Sequence, residues 1–326
     1  MLSKRSVRIT LVVYSAAVAI SYWLGANGLP GVRPSLEDMP VFTQLVVVPM
    51  LFAVVYLPTF LAVTYAITRN RRAPDLASRA PERSVARSEI LMLLAYGFAM
   101  LVLGQFIGRA FWGEGIGFHL HGSLFGATVD VTGDQVLAWV AYNFLAYAVI
   151  PYLFFRRRGY DHDAMNLRSS NRKNDIKVVL AIVALGVPVD LLNGNLFDLT
   201  GQQLLIGVPV SLGVHLFGTA LPTLMFLTIV LPRYLKLTES VTTTVILGGL
   251  TYAGLHIFEY WTGYDSLTNS ALSLTLVFLQ FFVPGVIKSF LTLRTGNAWV
   301  HLWGYHVISP HLAGDTPIIV KYFGIK

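Results

Sequence analysis

The chain is dominated by long apolar stretches that are separated by short polar loops rich in arginine. A membrane-crossing helix needs about 20 mostly apolar residues, and nine stretches come close to that requirement. They are Arg8–Ala26, Phe42–Thr68, Ile90–Ala110, Val136–Phe155, Val178–Asn193, Gln203–Leu231, Val241–Thr262, Ala271–Leu293 and Asn297–Leu312. We therefore predict an all-α fold, a polytopic transmembrane helix bundle of about nine spans.

The composition supports the same class of protein. Of the 326 residues, 55% are hydrophobic and only 13% are charged, whereas a soluble domain has about 25% charged residues. This composition excludes a cytosolic enzyme and a disordered regulator. The chain has no cysteine, which also excludes disulfides, thiolate metal sites and a cysteine nucleophile.

The distribution of basic residues predicts the orientation of the bundle. With the N-terminus in the cytoplasm, the inner segments contain all of the 24 lysines and arginines except Arg33, Arg109, Lys321 and Lys326. Lys288, near the inner end of the eighth span, is counted among the inner residues. Enrichment of Lys and Arg in cytoplasmic segments sets membrane topology. The formal net charge of +7 therefore predicts contact with membrane lipids and no nucleic-acid partner.

Three regions follow from this arrangement. Residues 1–110 form an N-terminal region of three spans, and residues 136–326 form a core of six spans. Between them, residues 111–135 contain six glycines and the run Phe118-His119-Leu120-His121. This segment is too polar to span the membrane, so we predict an outer cap or re-entrant segment over the bundle.

Ionisable residues inside a bilayer are costly, and those that remain usually face the bundle interior and serve function. The predicted spans contain few of them: Asp190, His215, His256, Glu259, His301, His306 and His311. A rise of about 1.5 Å per residue puts three of them, His215, His256 and His311, at one level beneath the cap. Because imidazole is a common ligand of transition metals, these three residues are a candidate site for a divalent metal, with His119 and His121 nearby.

Two spacings refine this set of residues. Glu259 follows His256 by three residues, so the two share a face of the predicted seventh helix, where a carboxylate can orient an imidazole or act as its base partner. By contrast, five residues of α-helix correspond to a net rotation of about 140°. His301, His306 and His311 therefore cannot all share a face, and we predict that His301 is a packing residue near the inner surface.

Several motifs in residues 215–312 resemble those of one family of intramembrane proteases. The run Tyr252-Ala253-Gly254-Leu255-His256 matches a Phe-x-x-x-His signature with Tyr in place of Phe. Leu293-Arg294-Thr295-Gly296-Asn297-Ala298-Trp299 resembles the lead into a later His-x-x-x-Asn/Asp signature, close to His306, and the pair His311…Asp315 has the bare spacing of that signature. The chain thus resembles the CPBP family, which contains CAAX prenyl proteases and bacteriocin-processing enzymes of about eight helices.

The first signature of that family, Glu-Glu-x-x-x-Arg, is absent. Pro222-Thr223 stand where the two glutamates belong, and Leu227 stands where the arginine belongs. In the family the glutamate activates water while the histidines hold the water or a metal. The resemblance therefore implies either that another acid serves as the base or that hydrolysis has been lost.

Three functions remain open from the sequence. One is a divergent intramembrane protease of a prokaryotic plasma membrane, with His256 and His306 polarising water and Glu259 as the base. Another is a non-catalytic scaffold that binds a lipid, a prenyl chain or another membrane protein. The last is a site for a divalent metal at His215, His256 and His311, and no other cofactor is expected.

Overall fold

The protein is all-helical. The computed structural model describes residues 4–25, 40–72, 74–120, 131–193 and 196–326, and those residues contain no β-strand. Helices account for 80% of the structure. The predicted all-α class is therefore confirmed.

Nine helices run through the described residues, one for each of the apolar stretches in the sequence. Their bounds are α1, Arg5–Gly25; α2, Thr43–Thr68; α3, Arg83–Trp112; α4, Gly133–Arg157; α5, Arg172–Asn193; α6, Gly201–Thr238; α7, Val241–Gly254; α8, Leu267–Thr295; and α9, residues 299–322. Two short 3₁₀ turns, Ala77–Arg79 and Leu196–Asp198, lie in the connections.

Six of these helices are long and apolar enough to cross a membrane: α1, α2, α3, α4, α6 and α8. Helix α7 is apolar but has only 14 residues. The sequence predicted that this span continues to Thr262. It ends at Gly254 instead, because residues 255–266 form turns that lead into α8.

The outer surface of the bundle is apolar, as expected of a protein surrounded by lipid. Large hydrophobic side chains are exposed on several helices, including Trp23, Phe106, Phe111 and Leu205. Helix α6 is the most buried of the six, with 83% of its most apolar window inside the protein, compared with 56% for α8. It packs against α3, α4, α7 and α9.

Prolines shape the helices without breaking them. Among the described residues, four short π-helical segments, 43–47, 52–56, 144–149 and 216–220, are each followed two residues later by a proline. Proline lacks an N–H and its ring clashes with the carbonyl of the preceding turn. A wider π turn, with hydrogen bonds between residues five apart, relieves this clash, so the helix continues past the proline.

The loops that the sequence assigns to the inner side meet at one end of the bundle. Arg71 forms an ion pair with Asp175 and donates to the carbonyl of Thr295 at 2.5 Å. Arg79 donates to the carbonyl of Gly296 at 2.9 Å, and Arg294 donates to the carbonyl of Thr68 at 2.9 Å. These bonds tie α2, α5 and α8 together at that end.

A buried ion pair lies close to the same end. Arg233 of α6 contacts Glu89 of α3, with Nη2 2.7 Å from Oε2, and both side chains are almost fully buried. Glu89 also accepts hydrogen bonds from Arg158 and Tyr160, each at 3.0 Å. The Glu89 carboxylate thus joins α3, α4 and α6.

Helices α7 and α8 approach each other closely through glycine. A Cβ atom on Gly285 would lie 2.9 Å from the Cα atom of Gly249, a distance that only a residue without a side chain permits. Small residues at such contacts allow helices to pack closely in membranes. This contact allows α7 to pack closely against α8.

We predict that the buried pair matters much more for stability than the exposed pair at the same end. Replacing Arg233 with Met removes the buried cationic partner of Glu89 and leaves the carboxylate with Arg158, whose side chain is partly exposed. This change is expected to lower the free energy of unfolding by roughly 3 kcal/mol. Arg83→Met is the control, since the Arg83–Glu239 pair is exposed and is worth about 0–1 kcal/mol. Unfolding in mild detergent measures both variants, and equal losses would contradict the prediction.

Candidate functional site

Five histidines and two carboxylates meet in the interior of the bundle. We call this group the histidine cluster; it consists of His119, His215, His256, Glu259, His306, His311 and Asp315. All seven residues are buried, with at most 5% of their surface exposed. They come from four parts of the chain: the segment after α3, helix α6, the turn after α7, and helix α9.

The imidazole rings are in direct contact. The ring centroids of His119 and His256 are 4.4 Å apart, and those of His119 and His311 are 5.4 Å apart. His311 stacks on His215 at 4.6 Å and contacts His306 at 5.2 Å. The residues expected at one level, His215, His256 and His311, are thus brought together, and His119 joins them. His121 lies outside the described residues.

His119 reaches the interior because the chain folds back after α3. The indole N–H of Trp139 donates to the carbonyl of Gly117 at 3.1 Å, and the Asn143 amide donates to the carbonyl of Phe118 at 3.0 Å. Phe118 and His119 are buried as a result. The described part of the predicted cap therefore includes a segment that enters the bundle.

His256 and Glu259 lie in a turn, so the predicted shared helix face is wrong. Helix α7 ends at Gly254, and the chain turns before Glu259. The two residues instead meet through His119, whose Nδ1 lies 3.8 Å from Oε1 of Glu259. The His256 ring stacks on Phe281 with the centroids 3.8 Å apart.

The geometry of α9 also differs from the prediction. Residues Leu302–Gly314 form a π-helix, in which residues five apart are joined by backbone hydrogen bonds. His306 and His311 therefore lie one above the other, whereas an α-helix would turn them apart. Pro310 lies within this segment, and the helix continues past it.

Three of the histidines have one ring nitrogen held by an oxygen atom. Nδ1 of His256 lies 2.6 Å from the carbonyl oxygen of Tyr252, and Nδ1 of His215 lies 3.0 Å from that of Ser211. Nδ1 of His311 lies 2.7 Å from Oδ2 of Asp315. A carbonyl or carboxylate oxygen only accepts, so Nδ1 carries the proton in each case. In the neutral ring Nε2 then carries the lone pair.

This arrangement is typical of histidines that bind metals, which usually donate the N–H of the other ring nitrogen to a carbonyl or a carboxylate. Nε2 of His119, Nε2 of His256 and both ring nitrogens of His306 have no hydrogen-bond partner among the described residues. Nε2 of His215 lies 3.5 Å from Oδ2 of Asp315. Its lone pair and the carboxylate repel each other unless a cation, a proton or a metal ion, lies between them.

The cluster offers three overlapping sets of metal ligands, and within each set the ligand atoms lie within 4.8 Å of one another. Two sets share no residue, and each has two histidines and one carboxylate. The third set joins them. The sets are His119, His256 and Glu259; His215, His311 and Asp315; and His119, His306 and His311.

Two further buried residues with ionisable side chains, His301 and Lys288, lie close to the cluster. His301 lies outside the three sets, with Nδ1 2.8 Å from Oγ1 of Thr292, as a packing residue would. Lys288 was counted with the inner basic residues, but it is only 2% exposed. Its Nζ atom lies 3.6 Å from the centroid of the Tyr252 ring. Lys288 lies inside the predicted eighth span, seven residues before Thr295. This position in the sequence could have identified it as a buried residue.

Fold and site together define an all-helical protein of the membrane-spanning type with a buried cluster of histidines and carboxylates. Comparison of the chain with models of known protein families, with curated proteins and with solved structures gave no match. The site therefore has to be interpreted from its own chemistry.

Proposed function

We propose that this chain is an integral membrane metalloprotein whose histidine cluster binds divalent transition-metal ions. The observation that carries the proposal is the set of oriented rings: Nδ1 of His215, His256 and His311 is held by an oxygen atom, which leaves Nε2 for a metal. Ligands made of imidazole and carboxylate suit Zn²⁺, Fe²⁺, Ni²⁺ and Cu²⁺.

Packing alone is a poor explanation for this cluster. A buried polar atom without a hydrogen bond costs about 1–3 kcal/mol, and both ring nitrogens of His306 are in that position among the described residues. Contacts between the imidazole rings offset only part of this free-energy cost. A metal ion would satisfy several of these nitrogens at once, and it would also separate Nε2 of His215 from the carboxylate of Asp315.

We expect the purified protein to contain at least one transition-metal ion per chain. His256→Ala and His311→Ala each remove a ligand from the cluster and should lower the metal content. The control is His162→Ala, because His162 is exposed and contacts Tyr152 away from the cluster. Mass spectrometry of the metal content after extraction in mild detergent without chelator measures all of them. A wild-type chain without metal would falsify the proposal.

A second candidate function is that of a divergent CPBP-type intramembrane peptidase. The observation in its favour is that His256, Glu259 and His306, the residues expected to carry hydrolysis, all belong to one buried cluster. A bound metal would supply an activated water, and a carboxylate close to that water can take its proton. The family resemblance, with its missing glutamate pair, agrees with the use of Glu259 as the base.

This candidate predicts that proteolysis depends on Glu259. In proteoliposomes with a membrane-spanning peptide substrate, Glu259→Gln should lower kcat by roughly 10²–10⁴-fold, the usual contribution of a general base. Glu239→Gln is the matched control, since Glu239 is in an exposed ion pair. Equal rates for wild type and Glu259→Gln would contradict a catalytic carboxylate at this position.

A metal-loaded chain without any turnover would favour the remaining alternative. In that case the protein would be a scaffold that binds a lipid, a prenyl chain or another membrane protein. Copurification of a stable partner or a bound lipid from the membrane would support it.

We further propose that the chain crosses a prokaryotic plasma membrane nine times, with its N-terminus in the cytoplasm. Support comes from the hydrogen bonds among the basic loops at one end of the bundle. Because the chain has no cysteine, single cysteines report the topology directly. Ser78→Cys and Lys173→Cys should react with an impermeant maleimide only from the cytoplasmic side, and Thr268→Cys only from the opposite side. The reverse pattern would contradict this orientation.

A further inference from the structure

Lys288 is a lysine in the interior of the bundle. Its side chain lies inside the bundle with only 2% of its surface exposed, and among the described residues it forms no hydrogen bond through Nζ and no ion pair. A lysine that served only as an interfacial anchor would extend its ammonium group towards water. The Lys288 side chain stays inside the bundle instead, where an ammonium charge is tolerated when the protein or a ligand compensates it.

Two aromatic rings provide the contacts of the ammonium group. Nζ lies 3.6 Å from the ring centroid of Tyr252 and 5.8 Å from that of Tyr305. A cation over an aromatic face is stabilised electrostatically, but the ring replaces only part of the hydration of an ammonium with three N–H donors. The rings hold Nζ in position and leave donors for a further partner.

Lys288 lies beside the histidine cluster. Tyr252, which lies under Nζ, also contacts His256 at a centroid distance of 4.4 Å and His306 at 6.1 Å. Nζ and two imidazoles of the cluster therefore contact the same aromatic ring. Among the described residues, no carboxylate of the cluster forms an ion pair with Nζ.

Binding of metal would make this imbalance larger. Two divalent ions and the Lys288 ammonium would together carry five positive charges. The carboxylates Glu259 and Asp315, with the neighbouring Asp190 that accepts a hydrogen bond from Ser309, would carry three negative charges. Charges in such an interior are tolerated when they are paired and hydrogen-bonded. A metal-loaded cluster beside Lys288 therefore calls for an anion that contacts both.

We propose that Lys288 and the metal ions of the histidine cluster together form a binding site for an oxyanion, a phosphate or carboxylate group carried by the substrate or ligand of the protein. This inference rests on the proposed metal function and gives the chemical class of the ligand. One oxygen atom of the anion would bind metal, and another would accept a hydrogen bond from Nζ. Lysine suits this task because its ammonium acts as a point charge for phosphate and carboxylate groups.

The experiment titrates metal-loaded protein with inorganic phosphate and, separately, with acetate. The protein is loaded with Co²⁺, whose visible absorption reports a change of ligands. We expect one of the two anions to bind, which also identifies the class of oxyanion. Lys288→Met should weaken that binding at least about tenfold, as expected for loss of a hydrogen bond to a charged group, without changing the Co²⁺ content. Lys288→Arg, which keeps the charge, should bind more tightly than Lys288→Met.

Lys177→Met is the control for a lysine lost from the surface, since Lys177 is exposed, and it should bind the anion as the wild type does. Lys288→Gln replaces Lys288→Met if the latter does not fold. Metal-loaded wild type that binds neither anion would overturn this inference alone, as would a Lys288→Met protein that binds as tightly as wild type. A chain that takes up no metal would overturn the proposed metal function as well.

Discussion

The structure depends on how an apolar helix bundle accommodates polar groups that it cannot expose to water. Buried polar atoms need partners in such an interior. At the end of the bundle where the basic loops meet, Glu89 meets this requirement through Arg158, Tyr160 and Arg233. In the histidine cluster, oxygen atoms hold one nitrogen of His215, His256 and His311, and the ring nitrogens of His306 have no such partner among the described residues. The same constraint thus yields a structural ion pair in one place and, as we propose, a metal centre in the other.

Hydropathy was sufficient to predict the fold class and the positions of the helices. Each apolar stretch contains a helix. His215, His256 and His311, which the sequence placed at one level, all belong to the histidine cluster: His311 stacks on His215, and His119 lies between His311 and His256. The helical rise per residue estimates how deep each residue lies in the membrane, and the sequence grouped these three histidines by that estimate. Hydropathy could not predict the end of α7 at Gly254, because apolar residues continue past it at Leu255, Ile257, Phe258 and Trp261.

The other differences arise from tertiary contacts and from proline. An ideal α-helix turns His306 away from His311, but the π-helix around Pro310 brings them together. His119 enters the site because Trp139 and Asn143 hold the backbone before it, a contact between residues more than 20 positions apart. Lys288 was misjudged because a count of basic residues treats each one as a signal for an inner loop. Lys288 instead lies beside the histidine cluster, with Nζ over the ring of Tyr252.

The central claim is that imidazole nitrogens of the histidine cluster bind a metal, and X-ray absorption spectroscopy of the purified protein tests it most directly. We predict a first shell of nitrogen and oxygen atoms at about 2.0–2.2 Å, with the outer-shell scattering of imidazole, and loss of that scattering in a variant that lacks both His256 and His311. A metal spectrum without imidazole scattering, or one unchanged in the double variant, would contradict the account.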